Sequence, residues 1–406
     1  MSLGMYIARG NQTCQQRPGT LYHEAADAAQ FAAWNATYIK LDSCDDYGNR
    51  TAWQEYSIIA DALRAAYAAA SLPAPYVEVC ELFPWLSIAN VTVPNGDETY
   101  GNSAYTLGNW LSEGLPVDTI ANALLIEWEN TYDSWESTLG NFDASFFLTS
   151  RLLAFPGVAN HLDMLTVCMG KQSIGQYQAQ LSLWSVMGSP LILGNDFSSG
   201  KTDPACVSAV LTNGAEVIAV DQDEGVMPSS KIFDSIVSLF VSVSVSLGGE
   251  QQVALPSAGP VSVWWQVMTR PLASGETSVV IFCRQGPMSA GALVAAALGC
   301  GGARQAADAA TSHVCASAAA GGTPNAQVTV TMGQHSIHTL AVRAWDEAPT
   351  YLFNMSLPTL GLPSASSVLV RDLWRHEDIG PLVGAVPVTV APTNVAHINV
   401  RKQSSR

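Results

Sequence analysis

The segment Tyr38–Cys44 places a lysine and a carboxylate where they could do chemistry. Read as a short strand, it puts Tyr38, Lys40 and Asp42 on one face and two apolar residues on the other. In a packed core the two charges would each need a partner, whereas active sites collect at the C-terminal ends of strands in parallel β/α barrels. The lysine favours the ionised carboxylate, the form that a nucleophile needs. Taken alone, the segment fits a surface strand with a chance ion pair equally well.

Residues 1 to about 230 alternate strand-like and helix-like stretches, and this alternation predicts the frame that positions the two charges. Strands alternating with Ala-rich helices indicate βαβ units and a parallel sheet, in a barrel or a doubly wound arrangement. No Gly-rich phosphate loop opens a helix, so a nucleotide-binding fold has no support. The predicted strands are Gly4–Ala8, Tyr38–Asp42, Tyr76–Glu81, Leu124–Trp128, His161–Leu165, Pro190–Leu193 and Glu216–Val220. The predicted helices are Glu24–Trp34, Trp53–Ala70 and Ser134–Leu153.

From about residue 232 the pattern changes to alternating Ser, Val and Thr residues, which is typical of short antiparallel strands and predicts a separate β-sandwich. We therefore expect one domain over residues 1–231 and a second over 232–406. The Ala/Gly-rich stretch Gly286–Gly322 is interpreted as a loop insertion, with Cys300 and Cys315 as a candidate staple. The predicted strands here are Ile232–Leu247, Val261–Met268, Ser278–Cys283, Gln327–Met332 and Val368–Trp374.

Composition and charge narrow the function classes. The 406 residues are 48% hydrophobic and 13% charged, which excludes disorder. The net charge of -16 argues against nucleic acid or an anionic membrane as partner, and suits an acidic compartment or the extracellular space. No signal peptide or membrane-spanning apolar run is visible, so we expect a cytosolic protein or a chain whose N-terminus is missing. Five N-glycosylation sequons favour the secretory route, at Asn11, Asn35, Asn49, Asn90 and Asn354.

A series of short motifs, in the right order over most of the chain, resembles the α-galactosidases of glycoside hydrolase family 27. Besides Tyr38–Cys44, the motifs are Gly4-Met5-Tyr6, Gln12-Thr13-Cys14, Pro18-Gly19, His23-Glu24, Cys80-Glu81, Asp133-Ser134-Trp135, Asp163-Met164-Leu165, Trp184-Ser185, Ser189-Pro190-Leu191-Ile192, Asn195-Asp196, Glu216–Asp223, Val263-Trp264 and Val370–Trp374. The resemblance implies a (β/α)₈ barrel of the TIM type followed by an antiparallel β-sandwich. It also implies retaining cleavage of terminal α-linked galactose through two carboxylates roughly 5 Å apart.

The resemblance assigns roles residue by residue. Asp42 matches the nucleophile, and Cys14 and Cys44 match a disulfide beside the site. Trp85 is expected to form an apolar wall for the sugar. The residues that match the sugar-holding positions are Tyr6, Lys40, Glu81 and Asp163.

The family needs no metal or organic cofactor, its partner is a carbohydrate, and a homodimer is compatible with it. Nucleic acid and membrane insertion are not expected. The expected location is extracellular, vacuolar or lysosomal. The related α-N-acetylgalactosaminidases and β-L-arabinopyranosidases share much of the scaffold, and the bulky segment Leu82–Trp85 favours galactose over a 2-acetamido sugar.

Several of these residues also fit structural roles. Tyr6 fits a core tyrosine, and Glu81 and Asp163 fit caps of the helices that follow them. Cys14 and Cys44 fit buried thiols, and Cys80 is expected to be one because Asn122 occupies its partner position in the family.

Asn130 is the departure from the family pattern that bears most on activity. It stands five residues before Trp135, where the family has its acid/base aspartate, and Ile126 stands where the family has an arginine. An amide cannot donate a proton as an acid, so general acid catalysis worth ~10²–10⁴-fold should be lost. Glu127 and Glu129 have the opposite strand parity, and only a β-bulge would turn Glu129 inward.

Two further departures concern strands of the expected barrel. Ala159 and His161 stand where the family has a tryptophan and an aspartate, and His161 is either a group that titrates near the working pH or a structural histidine. The chain also begins at what resembles the third strand of the family, as expected for an incomplete chain or for a degenerate relative.

Two functions follow for this sequence. The first is a retaining α-galactosidase with Asp42 as nucleophile. The alternative is a catalytically inactive, galactoside-binding relative, which Asn130 favours because binding needs no proton donor. A purely structural role would leave Lys40 and Asp42 as a costly pair without purpose.

Overall fold

A computed structural model describes residues 2–44, 49–50, 52–82, 117–127, 130–149, 158–198, 200–225, 229–246, 252–254, 261–286, 326–332, 336–342 and 350–403. Contacts divide the chain into two compact units. The first comprises Met1–Ser173, Leu183–Thr212 and Ile218–Ser229, and the second comprises Ile174–Ser182, Asn213–Val217 and Ser230–Arg406. The predicted staple between Cys300 and Cys315 lies outside the described residues. No helix of the described residues is both long enough and apolar enough to cross a bilayer.

The first unit contains a parallel sheet flanked by helices. Its strands are β1 Leu3–Ala8, β2 Ala36–Asp42, β3 Tyr76–Leu82, β4 Ala123–Glu127 and β5 Ala159–His161, in the order β1-β2-β3-β4-β5. The helices α1 Glu24–Ala33 and α2 Ala52–Ala69 follow β1 and β2, a short 3₁₀ helix Val117–Thr119 precedes β4, and α3 Trp135–Thr149 follows it. Further along the chain are α4 Ile174–Met187, α5 Pro204–Val207, a π-helical turn Ser208–Thr212 and α6 Ala215–Asp221; the first residues of α4 and of α6 are assigned to the second unit.

Alternation along β2 decides which side chains face the helices. Ile39 and Leu41 are fully buried in an apolar cluster with residues of both neighbouring helices. The remaining face of β2 therefore carries Tyr38, Lys40 and Asp42. Helix α2 contributes to the same cluster from one side, because its buried residues recur at helical spacing. They are Tyr56, Ile59, Ala60, Leu63 and Tyr67.

Three predicted strands after residue 160 differ from the structure. Glu216–Val220 lies in helix α6, where Val217 and Val220 are buried at helical spacing, so the strand prediction is wrong. The strand predicted at His161–Leu165 is observed at Ala159–His161, and the left-handed backbone of Asp163 (φ 66°) interrupts its extension. Pro190–Leu193 forms no strand and contributes only an isolated parallel bridge to Leu165.

The second unit is antiparallel. Among the described residues, its larger sheet runs β11-β10-β6-β8-β9-β16-β13-β14 with β7 beside β6, and β12 pairs with β15 in a second sheet. The strands are β6 Ser230–Ser246, β7 Gln252–Ala254, β8 Val261–Pro271, β9 Thr277–Gln285, β10 Ala326–Met332, β11 Ser336–Val342, β12 Tyr351–Ser356, β13 Ser367–Asp372, β14 Glu377–Val383, β15 Ala385–Val390 and β16 Val395–Lys402. Buried residues of both sheets, among them Trp265 and Tyr351, share one apolar core. The predicted fold class, parallel β/α followed by antiparallel β, is confirmed.

His397 makes the stability of the second unit sensitive to acid. The residue is fully buried on β16, its Nε2 lies 2.8 Å from Ser278 Oγ, and burial lowers the pKa of His397 to about 3. An unfolded histidine titrates near pH 6.5, so below that pH the unfolded chain binds the extra proton. The stability present above pH 6.5 is therefore lost progressively as the pH falls towards the folded pKa.

We expect the free energy of unfolding to fall by about 2 kcal/mol from this residue between about pH 6.5 and about pH 4.5. Urea denaturation at several pH values measures the slope for the wild type and for His397→Gln, which should show a shallower one. His23→Gln, at an exposed histidine, serves as the control and should keep the wild-type slope. Equal slopes for wild type and His397→Gln would contradict this account.

Candidate active site

Asp42 ends β2 at the C-terminal edge of the parallel sheet, and both of its carboxylate oxygens accept hydrogen bonds. The Tyr6 hydroxyl donates to Oδ2 at 2.5 Å, and the Ser43 backbone N–H donates to Oδ1 at 2.8 Å. Burial, together with the hydrogen bond to Asp42 and its charge, raises the pKa of Tyr6, so its hydroxyl stays protonated and remains a donor. These two donors fix the direction of the carboxylate. The alternative of Tyr6 as a core tyrosine is wrong, since the residue is 43% exposed.

A disulfide lies against this carboxylate. Cys14 and Cys44 are bonded, so the alternative that they are separate buried thiols is wrong. Cys14 Sγ lies 3.6 Å from Asp42 Oδ2, and Cys44 Sγ lies 3.7 Å from the Tyr6 hydroxyl. The disulfide therefore links the segment after β1 to the segment after β2, beside the hydrogen bond between Tyr6 and Asp42. Cys80 is buried and is not part of a disulfide, as expected.

Lys40 forms an ion pair that the sequence analysis did not anticipate. Its Nζ lies 3.7 Å from Oε1 of Glu78, a fully buried residue of β3. Oε2 of Glu78 accepts the Tyr38 hydroxyl and lies 2.8 Å from His161 Nδ1. Burial alone would raise the pKa of Glu78, but His161, Lys40 and the Tyr38 hydroxyl together outweigh it and hold that pKa below its usual value. An ionised carboxylate therefore lies next to Lys40.

Glu78 could have been noticed from its neighbours along the strand. It stands between Val77 and Val79, both buried in the helix-facing cluster, so alternation turns its carboxylate to the face that carries Lys40 on the adjacent strand. His161 Nδ1 lies 2.8 Å from the Glu78 carboxylate, which supports a structural contact for His161 rather than an isolated position.

Asp163 is buried and has a left-handed backbone (φ 66°), a conformation that costs a non-glycine residue on the order of 1 kcal/mol and concentrates at functional sites. The Thr131 backbone N–H donates to its Oδ2 at 2.7 Å, and Trp184 Nε1 donates to its carbonyl oxygen at 2.8 Å. Burial opposes its ionisation, but the Thr131 and Met164 N–H groups and the charges of Lys40 and His161 leave the pKa of Asp163 lowered. The helix-cap alternative is wrong, because α4 begins only at Ile174.

Asn130 lies in an anchored loop next to Asp163. It is exposed, it follows β4 by three residues, and the N–H of its neighbour Thr131 binds the Asp163 carboxylate. Asn141 Nδ2 donates to Thr131 Oγ1 at 2.7 Å, which fixes the loop to α3. The loop thus presents an amide where the resemblance places an acid. Glu129, which only a β-bulge would turn inward, lies outside the described residues.

Two other predicted residues are described only in part. Glu81 lies within β3 at the end of the strand, but its side chain is outside the described residues, and so is all of Trp85. A second disulfide joins Cys168 and Cys206 and was not predicted from the sequence. Spacing alone gave no signal for that pairing.

Comparisons with known proteins show which family of proteins this chain resembles. Residues 1–82 and 116–223 match a family model described as Alpha galactosidase A. The α-galactosidase mel1 of Schizosaccharomyces pombe is 29% identical over 249 residues, 58% of this chain and 53% of its own length. The α-galactosidase of Oryza sativa subsp. japonica is 30% identical over 228 residues, 55% of this chain and 44% of its own. The chain spans about half the length of these curated relatives.

A solved structure also resembles the whole chain. The crystal structure of α-galactosidase I from Mortierella vinacea matches with a TM-score of 0.60 at 18% identity, over 98% of this chain and 76% of that one. At this identity the likeness concerns the fold.

Proposed function

We propose that this chain is a member of the α-galactosidase A family and a retaining glycosidase releasing terminal α-linked galactose, with Asp42 as nucleophile. The observation that carries the proposal is the Asp42 carboxylate at the C-terminal end of β2, held by the Tyr6 hydroxyl and the Ser43 N–H. Residues 1–231 would form the catalytic part and residues 232–406 the antiparallel β part.

The proposed reaction has two displacements. An Asp42 oxygen attacks the anomeric carbon from the β face, forming an ester bond while the bond to the aglycone breaks and its electron pair leaves with the aglycone oxygen. Water then attacks the same carbon from the α face, loses a proton to the solvent and releases galactose and the Asp42 carboxylate, and the departed aglycone oxygen takes up a proton from the solvent. Because Asn130 can neither protonate the leaving oxygen nor deprotonate the water, both steps depend on the reagents' own reactivity.

The sugar-holding roles are proposed for residues around Asp42. Three side chains would supply polar groups for the hydroxyls of galactose: Tyr6 a hydroxyl, Lys40 an ammonium and Asp163 a carboxylate. Tyr6 donates to Asp42, and the charge of Lys40 acts on Asp163. Lys40 itself pairs with Glu78. Glu81 and Trp85 complete the set by the resemblance, as a further acceptor and an apolar wall.

We also propose that the protein works on the secretory route, in the extracellular space, a vacuole or a lysosome. The two disulfides support an oxidising environment, and the net charge of -16 suits an acidic or extracellular one. Its partner would be the glycan of an oligosaccharide, glycolipid or polysaccharide.

Asn130 favours a second candidate, a galactoside-binding protein without turnover. Such a protein would keep the sugar contacts while forming no bond between Asp42 and the sugar. Measured hydrolysis of a natural galactoside by the purified protein would exclude this candidate.

Covalent trapping tests the proposed function independently of Asn130. We expect 2-deoxy-2-fluoro-α-galactosyl fluoride to label the protein once, because fluoride departs without protonation and the 2-fluoro group slows the second displacement. Peptide mass mapping should place the adduct on the peptide that contains Asp42, and free galactose should slow the labelling. Folded protein that takes no label would reject Asp42 as nucleophile and favour the binding protein.

A further inference from the structure

Four polar side chains, Tyr38, Lys40, Glu78 and His161, form a cluster one inward-facing position below Asp42, and we call them the Glu78 cluster. Glu78 is its centre: Oε2 accepts the Tyr38 hydroxyl and lies 2.8 Å from His161 Nδ1, and Oε1 faces Lys40 Nζ at 3.7 Å. Both Glu78 and His161 are buried, and Lys40 is 25% exposed. The cluster thus joins a buried interior to the partly open position of Lys40.

The register of the strands brings the side chains of the Glu78 cluster together. Lys40 and Glu78 are paired residues of β2 and β3, so their side chains rise side by side from the same face. His161 comes from β5, and β4 lies between β3 and β5. The residue of β4 paired with Glu78 is Ala123, whose single methyl group leaves room for His161 to reach across. The family's expected aspartate is absent at His161, and here β3 supplies the carboxylate instead.

The attraction between the buried carboxylate of Glu78 and the ammonium of Lys40 restrains the position of Lys40. A fully buried carboxylate is costly unless charges and donors compensate it, and here Oε2 accepts the Tyr38 hydroxyl and lies 2.8 Å from His161 Nδ1. Oε1 accepts no hydrogen bond from the described residues, so the charge facing it is that of Lys40. Attraction between the two is strengthened by burial, which limits where the ammonium can move. The charge of Lys40 also acts on Asp163.

We propose that Glu78 is a positioning residue that acts through Lys40, holding its ammonium where it meets the hydroxyls of a sugar beside Asp42. This inference rests on the proposed function, since it concerns the same sugar site. Tyr38 and His161 fix the orientation of Glu78 and contact no substrate. Loss of the Glu78 charge weakens the restraint on Lys40, and sugar affinity falls with it.

The test is a double-mutant cycle on the trapping reaction, with the rate constant of labelling and the inhibitor concentration for half-maximal rate measured separately. Lys40→Met should lower the labelling efficiency by roughly 10²-fold, and Glu78→Gln, which keeps the shape but removes the charge, by at least about 10-fold. The half-maximal concentration should carry most of the change, because the contact exists in both ground and transition states. The double variant should be no slower than Lys40→Met alone, since Glu78 acts through Lys40.

The control is Val79→Ala, which removes buried volume from the helix-facing side of the same strand and should keep wild-type labelling. His161→Asn keeps a donor near the Nδ1 position and should lose less than Glu78→Gln. Additive losses for Lys40→Met and Glu78→Gln, or an equal loss for Val79→Ala, would show a general structural role and overturn the inference while wild-type labelling sustained the proposed function. Absence of labelling in the wild type would reject the proposed function, and the inference with it.

Discussion

Replacing Asp42 by asparagine is expected to lower kcat/KM for 2,4-dinitrophenyl α-galactoside by roughly 10⁴-fold or more, the size of effect that loss of a nucleophile has in other hydrolases. The aglycone of this substrate leaves without protonation, so the measurement reports the first displacement alone. Asparagine retains an oxygen for the Ser43 N–H and a polar group for the Tyr6 hydroxyl, so the local structure should persist. Initial rates of dinitrophenolate release give the result directly.

Chemical rescue separates lost chemistry from lost folding. Asp42→Gly leaves space for azide, which should attack α-galactosyl fluoride from the vacated β face and yield β-galactosyl azide with restored turnover. Asp61→Asn, at an exposed carboxylate of α2, is the matched control and should keep wild-type rates. Activity of Asp42→Asn within a few-fold of wild type would remove Asp42 from the mechanism.

Replacing Asn130 by aspartate is expected to raise kcat/KM for a galactoside with an alkyl aglycone by ~10²–10⁴-fold, the range that general acid catalysis contributes. Such a leaving oxygen needs a proton, which aspartate can donate and asparagine cannot. The backbone N–H of Thr131 binds Asp163 and its hydroxyl binds Asn141, so a carboxyl group at the adjacent position 130 should be carried by an anchored loop. For the dinitrophenyl galactoside the same change should raise the rate of the first displacement only slightly. Rates on the two substrates, compared for both proteins, give the measurement.

Azide distinguishes the two proteins at the second displacement. In the wild type, azide needs no general base and should speed turnover of the dinitrophenyl galactoside, giving α-galactosyl azide by two inversions. Azide should raise the turnover rate of Asn130→Asp only slightly, since the new carboxylate already activates water. Tyr132→Asp puts the same group two residues further on, at a 60% exposed side chain, and should gain nothing on the alkyl galactoside. No gain for Asn130→Asp on that substrate would mean that residue 130 is not the acid/base position.

The local pattern of apolar residues was sufficient to predict β2, which carries the nucleophile, and the two helices that pack against it. Helices α1 and α2 lie within one residue of their predicted bounds, and β2 ends at Asp42 as predicted. These stretches have long or clear periodicity, which a sequence can reveal. The five residues Glu216–Val220 fit a strand or a helix equally by pattern, and only their packing made them part of α6.

Long-range pairing could not be predicted in the same way. Glu78 was visible as a strand residue, but its contact with Lys40 depends on the register between β2 and β3, and its contact with His161 on a strand much later in the chain. The pairing of Cys168 with Cys206 likewise depends on tertiary structure, because several connectivities fit the same cysteines. Register and connectivity are set by the whole core rather than by neighbouring residues.

Because Cys14 and Cys44 form a disulfide, the state of the site in a preparation depends on the redox conditions under which the protein was produced. One sulfur lies 3.6 Å from the Asp42 carboxylate and the other 3.7 Å from the Tyr6 hydroxyl. Chains made in a reducing cytoplasm would hold two thiols at this place, with the segments after β1 and β2 no longer tied together. Two batches of equal purity would then differ in their share of competent molecules. Turnover numbers become comparable only when sites are counted with the trapping reagent, because weighed protein includes the incompetent fraction.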